Sequence, residues 1–268
     1  MKLYITPASP YARMARIVVI EKGLESRVEI IPAQTRRTDS PYYKINPSGR
    51  VPYLIRDDGV GLEESAVICA HLDHVDGNPI FDLPVGEQAC EARRLEALAR
   101  SMLDGLTVWG REITRPQNEQ SPTVIRHEAD RSKRMADLWE REIDHPLMHG
   151  SLNMVHITLA CALDFIARVP DFHWRPGHPK LCEWFAPIAA RPSFAATAPP
   201  AYSLMSVRPA NAGAVSDRIN GWNRNAFSRS DRGRVIRDGE VWRFEMAYSA
   251  VGKRGQEPEK GISPITKI

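Results

Sequence analysis

An α/β domain followed by an all-α domain, with a basic extension behind them, is the fold class that this sequence predicts. Three observations carry it. The first eighty residues alternate strand and helix signals, and the next 110 contain almost no strand signal. After Pro199-Pro200 aliphatic residues thin out, seven of the chain's 17 glycines appear and arginine dominates. The expected divisions are therefore an α/β domain over 1–80, a linker over 81–86, a helical domain over 87–200 and an extension over 201–268 that is partly disordered.

Taken in order, Lys2 to Thr6 reads as a short strand ending at Pro7. Ser9-Pro10 starts a helix, with Ser as N-cap and Pro in the first turn, where a missing N–H costs nothing. That helix runs from Tyr11 to about Lys22 and stops at Gly23, a favoured C-terminal residue. Arg27 to Ile31 is a second strand with Val28 and Ile30 facing one way, and a polar loop follows from Gln34 to Pro41. Tyr53–Ile55 and Val60–Leu62 flank Asp57-Asp58-Gly59, a hairpin signal. Ser65 to Val75 is a helix ending at Asp76-Gly77-Asn78-Pro79. Phe81 to Gly86 is punctuated by Pro and Gly, as a linker is.

Beyond the linker, Glu87 to Ile113 repeats apolar residues at Leu95, Leu98, Met102, Leu106 and Trp109, a helical stripe. Pro122 to Ile143 is a second long helix, with the pairs Glu128–Ser132 and Asp137–Arg141 at i,i+4. Asn153 to Arg168 is strongly apolar and reads as the central buried helix, and Lys180 to Arg191 as a fourth, before Pro192. Val235 to Phe244 alternates around Asp238-Gly239 as one hairpin, which needs further packing to be stable in water. The stretch Gly252 to Lys260 reads as disordered.

Composition excludes several classes. With 268 residues, 43% hydrophobic and 26% charged, the chain is neither collagen-like nor wholly disordered. No apolar run approaches the roughly 18 residues of a membrane helix, and Glu21 closes the short run Ile17–Ile20, so no signal peptide is expected. The four cysteines, Cys69, Cys90, Cys161 and Cys182, form no CxxC pair and read as free thiols of a cytoplasmic protein, three of them in apolar helix-like surroundings. His71 and His74 lie one turn apart beside Asp73 and Asp76, but without a third ligand cluster they read as a solvated helix face, and no metal is expected. Residues 1–200 hold 24 Lys and Arg against 26 Asp and Glu, while 201–268 hold 12 against 7, so all of the net charge of +3 comes from the extension. Trp222, Phe227, Trp242 and Phe244 are interleaved with its basic residues, yet acidic residues are mixed in and no recognised module is present, so nucleic acid is not the expected partner.

Four local features bear on chemistry. Ser9 sits where helix N–H groups and the dipole converge, a place that stabilises an anion; its hydroxyl can accept from the helix and still donate its own hydrogen to a thiolate, or it can be a plain cap. In Asn46-Pro47-Ser48-Gly49-Arg50-Val51-Pro52, a cis Val51-Pro52 bond would leave the Val51 backbone free to pair with a peptide, and a simple turn into the strand is the alternative. Glu64-Ser65, at a second helix start, can hold an ammonium and a carboxylate side by side, the head of an amino acid, or can be an ordinary acidic first turn. Asn153, opening the most apolar helix, is a good N-cap to which a polar residue three positions on, His156, can reach back.

The order and spacing are more specific than any one feature. Ser-Pro-Tyr-x-Arg at 9–13, Asn-Pro-x-Gly-Arg-Val-Pro at 46–52, Glu-Ser at 64–65, an all-α region and Ala-Arg-Pro-Ser-Phe at 190–194 together resemble a cytosolic glutathione transferase over residues 1–200. The resemblance implies a thioredoxin-like N-terminal domain and an all-helical C-terminal domain. It also implies that Ser9 stabilises the thiolate of glutathione, that Val51 pairs with the cysteinyl backbone before a cis Pro52, and that Glu64 with Ser65 holds the γ-glutamyl head. Arg50 stands where the family often has Lys and is placed to meet a substrate carboxylate. Many bacterial relatives carry Cys where this chain has Ser9; a hydroxyl forms no mixed disulfide, so thiolate stabilisation fits better than reductase chemistry. The family's central helix commonly opens Ser/Thr-x-x-Asp; here Asn153 keeps the cap in kind and the acidic partner is lost.

The resulting expectation is an enzyme that binds glutathione as co-substrate, lowers its thiol pKa and holds it against a hydrophobic electrophile between the domains. Tyr11, Met102, Leu106 and Trp109 are the candidate walls of that second-substrate pocket. Dimerisation is implied by the resemblance. A glutathione transferase-like binding or scaffold protein and a glutathione-dependent isomerase are the alternatives, since fold alone does not establish function.

Overall fold

The computed structural model describes residues 1–199, 234–238 and 241–245. The chain divides into two units, Met1–Arg208 and Pro209–Ile268, and the site lies in the first. Its N-terminal part is a mixed four-stranded sheet. Strands β1 (Lys2–Ile5), β2 (Glu29–Pro32), β3 (Tyr53–Ile55) and β4 (Gly61–Glu63) stand in the order β2-β1-β3-β4. β1 pairs in parallel with β2 and antiparallel with β3, and β3 pairs antiparallel with β4. The parallel step needs a crossover. Helix α1 (Pro10–Glu21) supplies it and buries Met14, Ile17 and Val18 completely. α2 (Ser65–His74) packs beside α1 with Ile68, Cys69 and Leu72 fully buried.

The helical part contains α3 (Ala89–Glu112), α4 (Pro122–Glu142), α5 (Met154–Leu163), α6 (Pro179–Ala189) and α7 (Pro192–Ala196). α5 is buried almost all round, as its composition predicts. Gly110 lets α3 approach the turn that follows α5: a Cβ there would lie 2.9 Å from the Phe165 ring. The thioredoxin-like sheet with a helical remainder is the architecture expected. In the second unit, β5 (Arg234–Asp238) and β6 (Val241–Glu245) pair antiparallel, Arg234 opposite Glu245. The Gly239 turn and the stretch Gly252–Lys260 lie outside the described residues.

Several expectations are corrected. Val28 and Ile30 do not share a face: Val28 is buried in a turn whose N–H bonds back to Leu24, before β2 begins, while Ile30 on the edge strand is 40% exposed. The central helix ends earlier, at Leu163, and continues as a 3-10 turn over Asp164–Ala167, Asp164 being held by Arg13. Asp137 and Arg141 form no ion pair; Asp137 Oδ1 lies 2.9 Å from His178 Nε2, and Arg141 donates to the Asp137 carbonyl. Asp73 is no part of a solvated face. It is buried, and its two oxygens accept from the Ile80 and Phe81 N–H groups at 2.9 Å, tying the linker to the end of α2. Cys69 and Cys161 are buried, and burial pushes the Cys161 thiol up to about 12, whereas Cys90 is exposed.

The cap of α5 is complete without an acidic residue. Asn153 Oδ1 accepts from the Val155 and His156 N–H groups, and His156 Nδ1 accepts from the Asn153 N–H at 3.2 Å. An imidazole therefore closes the capping box, and only its neutral form can, because a protonated ring has no acceptor. Nε2–H is buried without a partner among the described residues, and burial holds the imidazole below its ordinary range. A folded pKa below the unfolded value of about 6.5 means that the unfolded chain binds the extra proton first. This contribution to stability is complete above about pH 6.5 and falls away as pH drops toward the lowered folded value. His156→Gln, which retains a capping-box acceptor without titrating, is expected to flatten the loss of stability between pH 7 and 5 seen in urea denaturation of the parent. The same slope in both proteins would show that another group causes it.

Candidate active site

The sheet and α1 bring the three expected segments to one place. The chain leaves β1 through a tight turn, Ser9 N–H donating to the Thr6 carbonyl at 3.0 Å. Ser9 is extended (φ −79°, ψ 119°) and its Oγ accepts from the Ala12 N–H at 3.2 Å. Its hydroxyl hydrogen is not needed for that bond. Ser9 thus caps α1 and retains a donor at the positive end of the helix.

The Val51-Pro52 peptide bond is cis. Among the described residues neither the Val51 N–H nor its carbonyl takes a hydrogen-bond partner. The segment before it is braced from inside. Asn46, buried, donates from Nδ2 to the Arg50 carbonyl at 3.0 Å and accepts from the Ser48 N–H at 3.1 Å. The Tyr42 hydroxyl donates to the same carbonyl at 2.5 Å. Gly49 has φ +67°, and a Cβ there would lie 2.6 Å from the Tyr43 ring, so the turn requires glycine on both counts.

Glu64, the N-cap of α2, has φ +76°, a conformation that costs a non-glycine residue about 1–3 kcal/mol. Ser65 Oγ donates to Glu64 Oε1 at 3.1 Å. From α3, Arg100 Nη1 donates to Ser65 Oγ at 3.1 Å and stands 3.6 Å from Glu64 Oε1, while its Nη2 pairs with Glu96 at 3.0 Å. The helical domain thereby holds the pair on α2.

These segments line one cleft of about 1110 Å³. Ser9, Arg50, Val51, Pro52, Glu64 and Ser65 are all on its wall, and so is Tyr11. The Tyr11 hydroxyl donates to Asp104 across the domain seam; burial first, and that bond second, push its pKa up to about 12. Tyr11 stays protonated and engaged. The other three proposed walls are corrected: Met102, Leu106 and Trp109 are at most 4% exposed and belong to the core. The reason is helical phase. At ~100° per residue, Arg100, Asp104, Thr107 and Arg111 fall within about 60° of one another, whereas Met102, Leu106 and Trp109 fall roughly on the opposite side. The first set faces the cleft. Arg36, in the loop after β2, and Arg111 were not among the expected site residues, though a polar stripe at i, i+4, i+7, i+11 opposite the apolar one marks Arg111 in the sequence.

The sequence profile of the glutathione S-transferase N-terminal domain matches residues 3–79. A glutathione transferase family member from Pseudomonas fluorescens Pf-5, solved with S-(propanoic acid)-glutathione, is 32% identical, with a TM-score of 0.65 over 75% of this chain and all of that one. The chain belongs to the glutathione transferase family. The same P. fluorescens transferase solved with glutathione gives 31% identity and a TM-score of 0.67 over 74% of this chain and 98% of that one. The uncharacterised GST-like protein YibF of Escherichia coli K12 is 29% identical over 203 residues, 75% of this chain and 99% of its own. This transferase-family chain has no helix among its described residues that is long and apolar enough to cross a membrane.

The internal bracing of the 46–52 segment can be tested directly. Asn46→Ala removes a buried donor and acceptor and leaves the Arg50 carbonyl with one partner fewer. Such a loss is expected to lower unfolding free energy by about 1–3 kcal/mol and to raise amide hydrogen exchange at Ser48, Gly49 and Arg50, whose N–H groups are bonded within the turn. Exchange unchanged in that segment would show that Tyr42 alone holds it.

Proposed function

We propose that this chain is a glutathione transferase in the catalytic sense: it binds glutathione, stabilises its thiolate through Ser9 and directs it at an electrophilic carbon of a second substrate. The observation that carries the reading is the convergence of Ser9, the unpartnered Val51 backbone and the Glu64-Ser65 pair on one cleft. A tripeptide laid across them would have its γ-glutamyl head at Glu64-Ser65, its central backbone against Val51 and its sulfur at the start of α1. Arg50, which forms no ion pair with a described carboxylate, is suited to the glycyl end.

The energies are sufficient. A free thiol has a pKa near 8.5, and bringing it to about 7 requires about 2 kcal/mol. A hydrogen bond to a charged group supplies about 1.5–3 kcal/mol and the helix terminus about 0.3–1 kcal/mol. The thiol proton goes to solvent, and no protein side chain becomes covalently bound. Among the described residues no cysteine lines the cleft, which supports thiolate transfer over disulfide exchange. Buried free thiols and use of glutathione fit a reducing, cytoplasmic setting. Assembly as a homodimer belongs to the same proposal; Val60 at 51% exposure and Val67 at 49%, beside β4 and on α2, suit burial against a second copy.

Ser9→Ala decides the central role. Conjugation of 1-chloro-2,4-dinitrobenzene, followed by absorbance, is expected to fall about 10- to 100-fold in kcat/KM, with glutathione affinity nearly unchanged. The pH profile should move up toward the free thiol. Equal activity would remove Ser9 from the mechanism, and glutathione binding without conjugation of any electrophile in a broad panel would favour a binding or scaffold protein.

A further inference from the structure

The cleft extends past Ser9 along α3, and its charges there do not cancel. The carboxylates on its wall are engaged: Glu63 accepts from Ser48 Oγ, Glu64 from Ser65, and Asp104 from Tyr11. Arg100 is engaged with Glu96. Arg36 and Arg111 line the same cleft, and neither forms an ion pair with a described carboxylate. They approach from the two domains, one from the loop after β2 and one from the last turn of α3. Arg36 holds a left-handed backbone, φ +61°, that arginine rarely adopts. Burial first, and repulsion from Arg111 second, depress the Arg36 pKa, so the two guanidinium groups feel one another across the opening.

α3 also sets the distances. Arg100 marks the Glu64-Ser65 end, and Asp104 with Thr107 marks the start of α1 through Tyr11. At 1.5 Å per residue, Arg111 lies about 10 Å beyond Asp104, on the side away from Arg100. A positive pair is therefore placed beyond the expected sulfur position, where the second substrate would sit. Thr114 and Tyr43 add polar groups to that end, and Phe165 and Val108 an apolar surface.

We propose that the acceptor end of this cleft selects an electrophile bearing its own carboxylate, held between Arg36 and Arg111 while an adjacent apolar portion rests on Phe165 and Val108. The proposal rests on the transferase reading above and names the substrate class of that site. With a chloroarene carboxylate, the sulfur lone pair forms the S–C bond at the carbon bearing chlorine. The C–Cl bond then breaks, chloride leaves with its electron pair, and the carboxylate is unchanged throughout. A carboxylate can also come from the glycyl end of glutathione, so the test separates the two sources.

The full-length protein is titrated by calorimetry with glutathione, S-(carboxymethyl)glutathione and the nearly isosteric S-(carbamoylmethyl)glutathione. In parallel, kcat/KM is measured for 4-chloro-3,5-dinitrobenzoate and its carboxamide. The parent is expected to favour each carboxylate over its amide by about 10-fold or more, as one or two hydrogen bonds to a charged group allow. Arg111→Ala should bring each pair within about twofold while changing free glutathione affinity much less than affinity for the carboxymethyl ligand, and Arg111→Lys should restore part of the preference. Equal binding of the two S-substituted ligands by the parent would overturn the proposal. So would a drop in free glutathione affinity in Arg111→Ala equal to the drop for the carboxymethyl ligand, since Arg111 would then serve the glycyl carboxylate. Preference for the carboxymethyl ligand without turnover of either chloroarene would sustain the anion site and overturn the transfer reading, so the two fail separately.

Discussion

The cleft exists only because α1 is locked against the helical domain, and the lock is a buried guanidinium. Arg13 is 3% exposed, and every nitrogen has an acceptor: Nη1 donates to Asp164 at 2.6 Å, Nη2 to the Phe194 carbonyl at 3.1 Å and Nε to Thr197 Oγ1 at 3.3 Å. Its plane lies over the Phe194 ring, 5.2 Å from the centroid. Burying a charge is tolerable only with such complete pairing. At the other end of α1, Glu21 receives a fork from Arg191 at 2.8 and 2.6 Å and a hydroxyl from Ser193 at 2.5 Å, and these bonds hold its carboxyl below the usual range. The segments 9–13 and 190–194, almost 180 residues apart in sequence, thus close on the same helix. These contacts fix α1, whose N-terminus carries Ser9, against the end of α5 and against α7.

Once α1 is fixed, α3 has to serve two purposes along its length. One face supplies Met102, Leu106 and Trp109 to the core, and the other presents Arg100, Asp104 and Arg111 to the cleft. Tyr11 ties α1 to α3 through Asp104, and Arg100 ties α2 to α3 through Ser65. Two elements of the α/β layer are therefore positioned against one helix of the other domain. A shift of α3 would move the Glu64-Ser65 end and the α1 end together, which keeps their separation constant.

Much of this was legible in the sequence because its causes are local. Ser9-Pro10 and Gly23 punctuate α1, Asn153 caps α5, and the hairpin around Asp57-Asp58-Gly59 follows from turn chemistry. The grouping of Ser9, Val51 and Glu64-Ser65 was legible from order and spacing. What was not legible depends on partners distant in sequence. The carbonyl of Arg50 is held by Tyr42 and Asn46 through contacts that no periodicity reports. Asp73 looks like an exposed acid until the linker folds back onto it. Apolar periodicity correctly identified Met102, Leu106 and Trp109 as a stripe, but a stripe of large apolar residues at helical spacing marks the side turned to the core. The cleft is on the side it leaves polar. For α5, the reach of His156 back to the Asn153 cap was legible too, and a neutral imidazole has the same acceptor that a carboxylate would provide.

The distribution of charge gives the cleft a direction. Two guanidinium groups on the wall of one cleft repel one another, a cost that a bound anion would relieve. Their field also acts on the start of α1, where a positive potential favours thiolate over thiol at any sulfur held there. The same charges would then stabilise the nucleophile at longer range and attract the acceptor at shorter range. These two effects differ in their response to salt. A contact with a carboxylate inside the cleft is screened little, whereas the longer-range effect on sulfur weakens as the Debye length falls from about 10 Å at 0.1 M to about 3 Å at 1 M. Ionic strength therefore separates, within this one cleft, the contribution of the Ser9 hydrogen bond from that of the distant arginines.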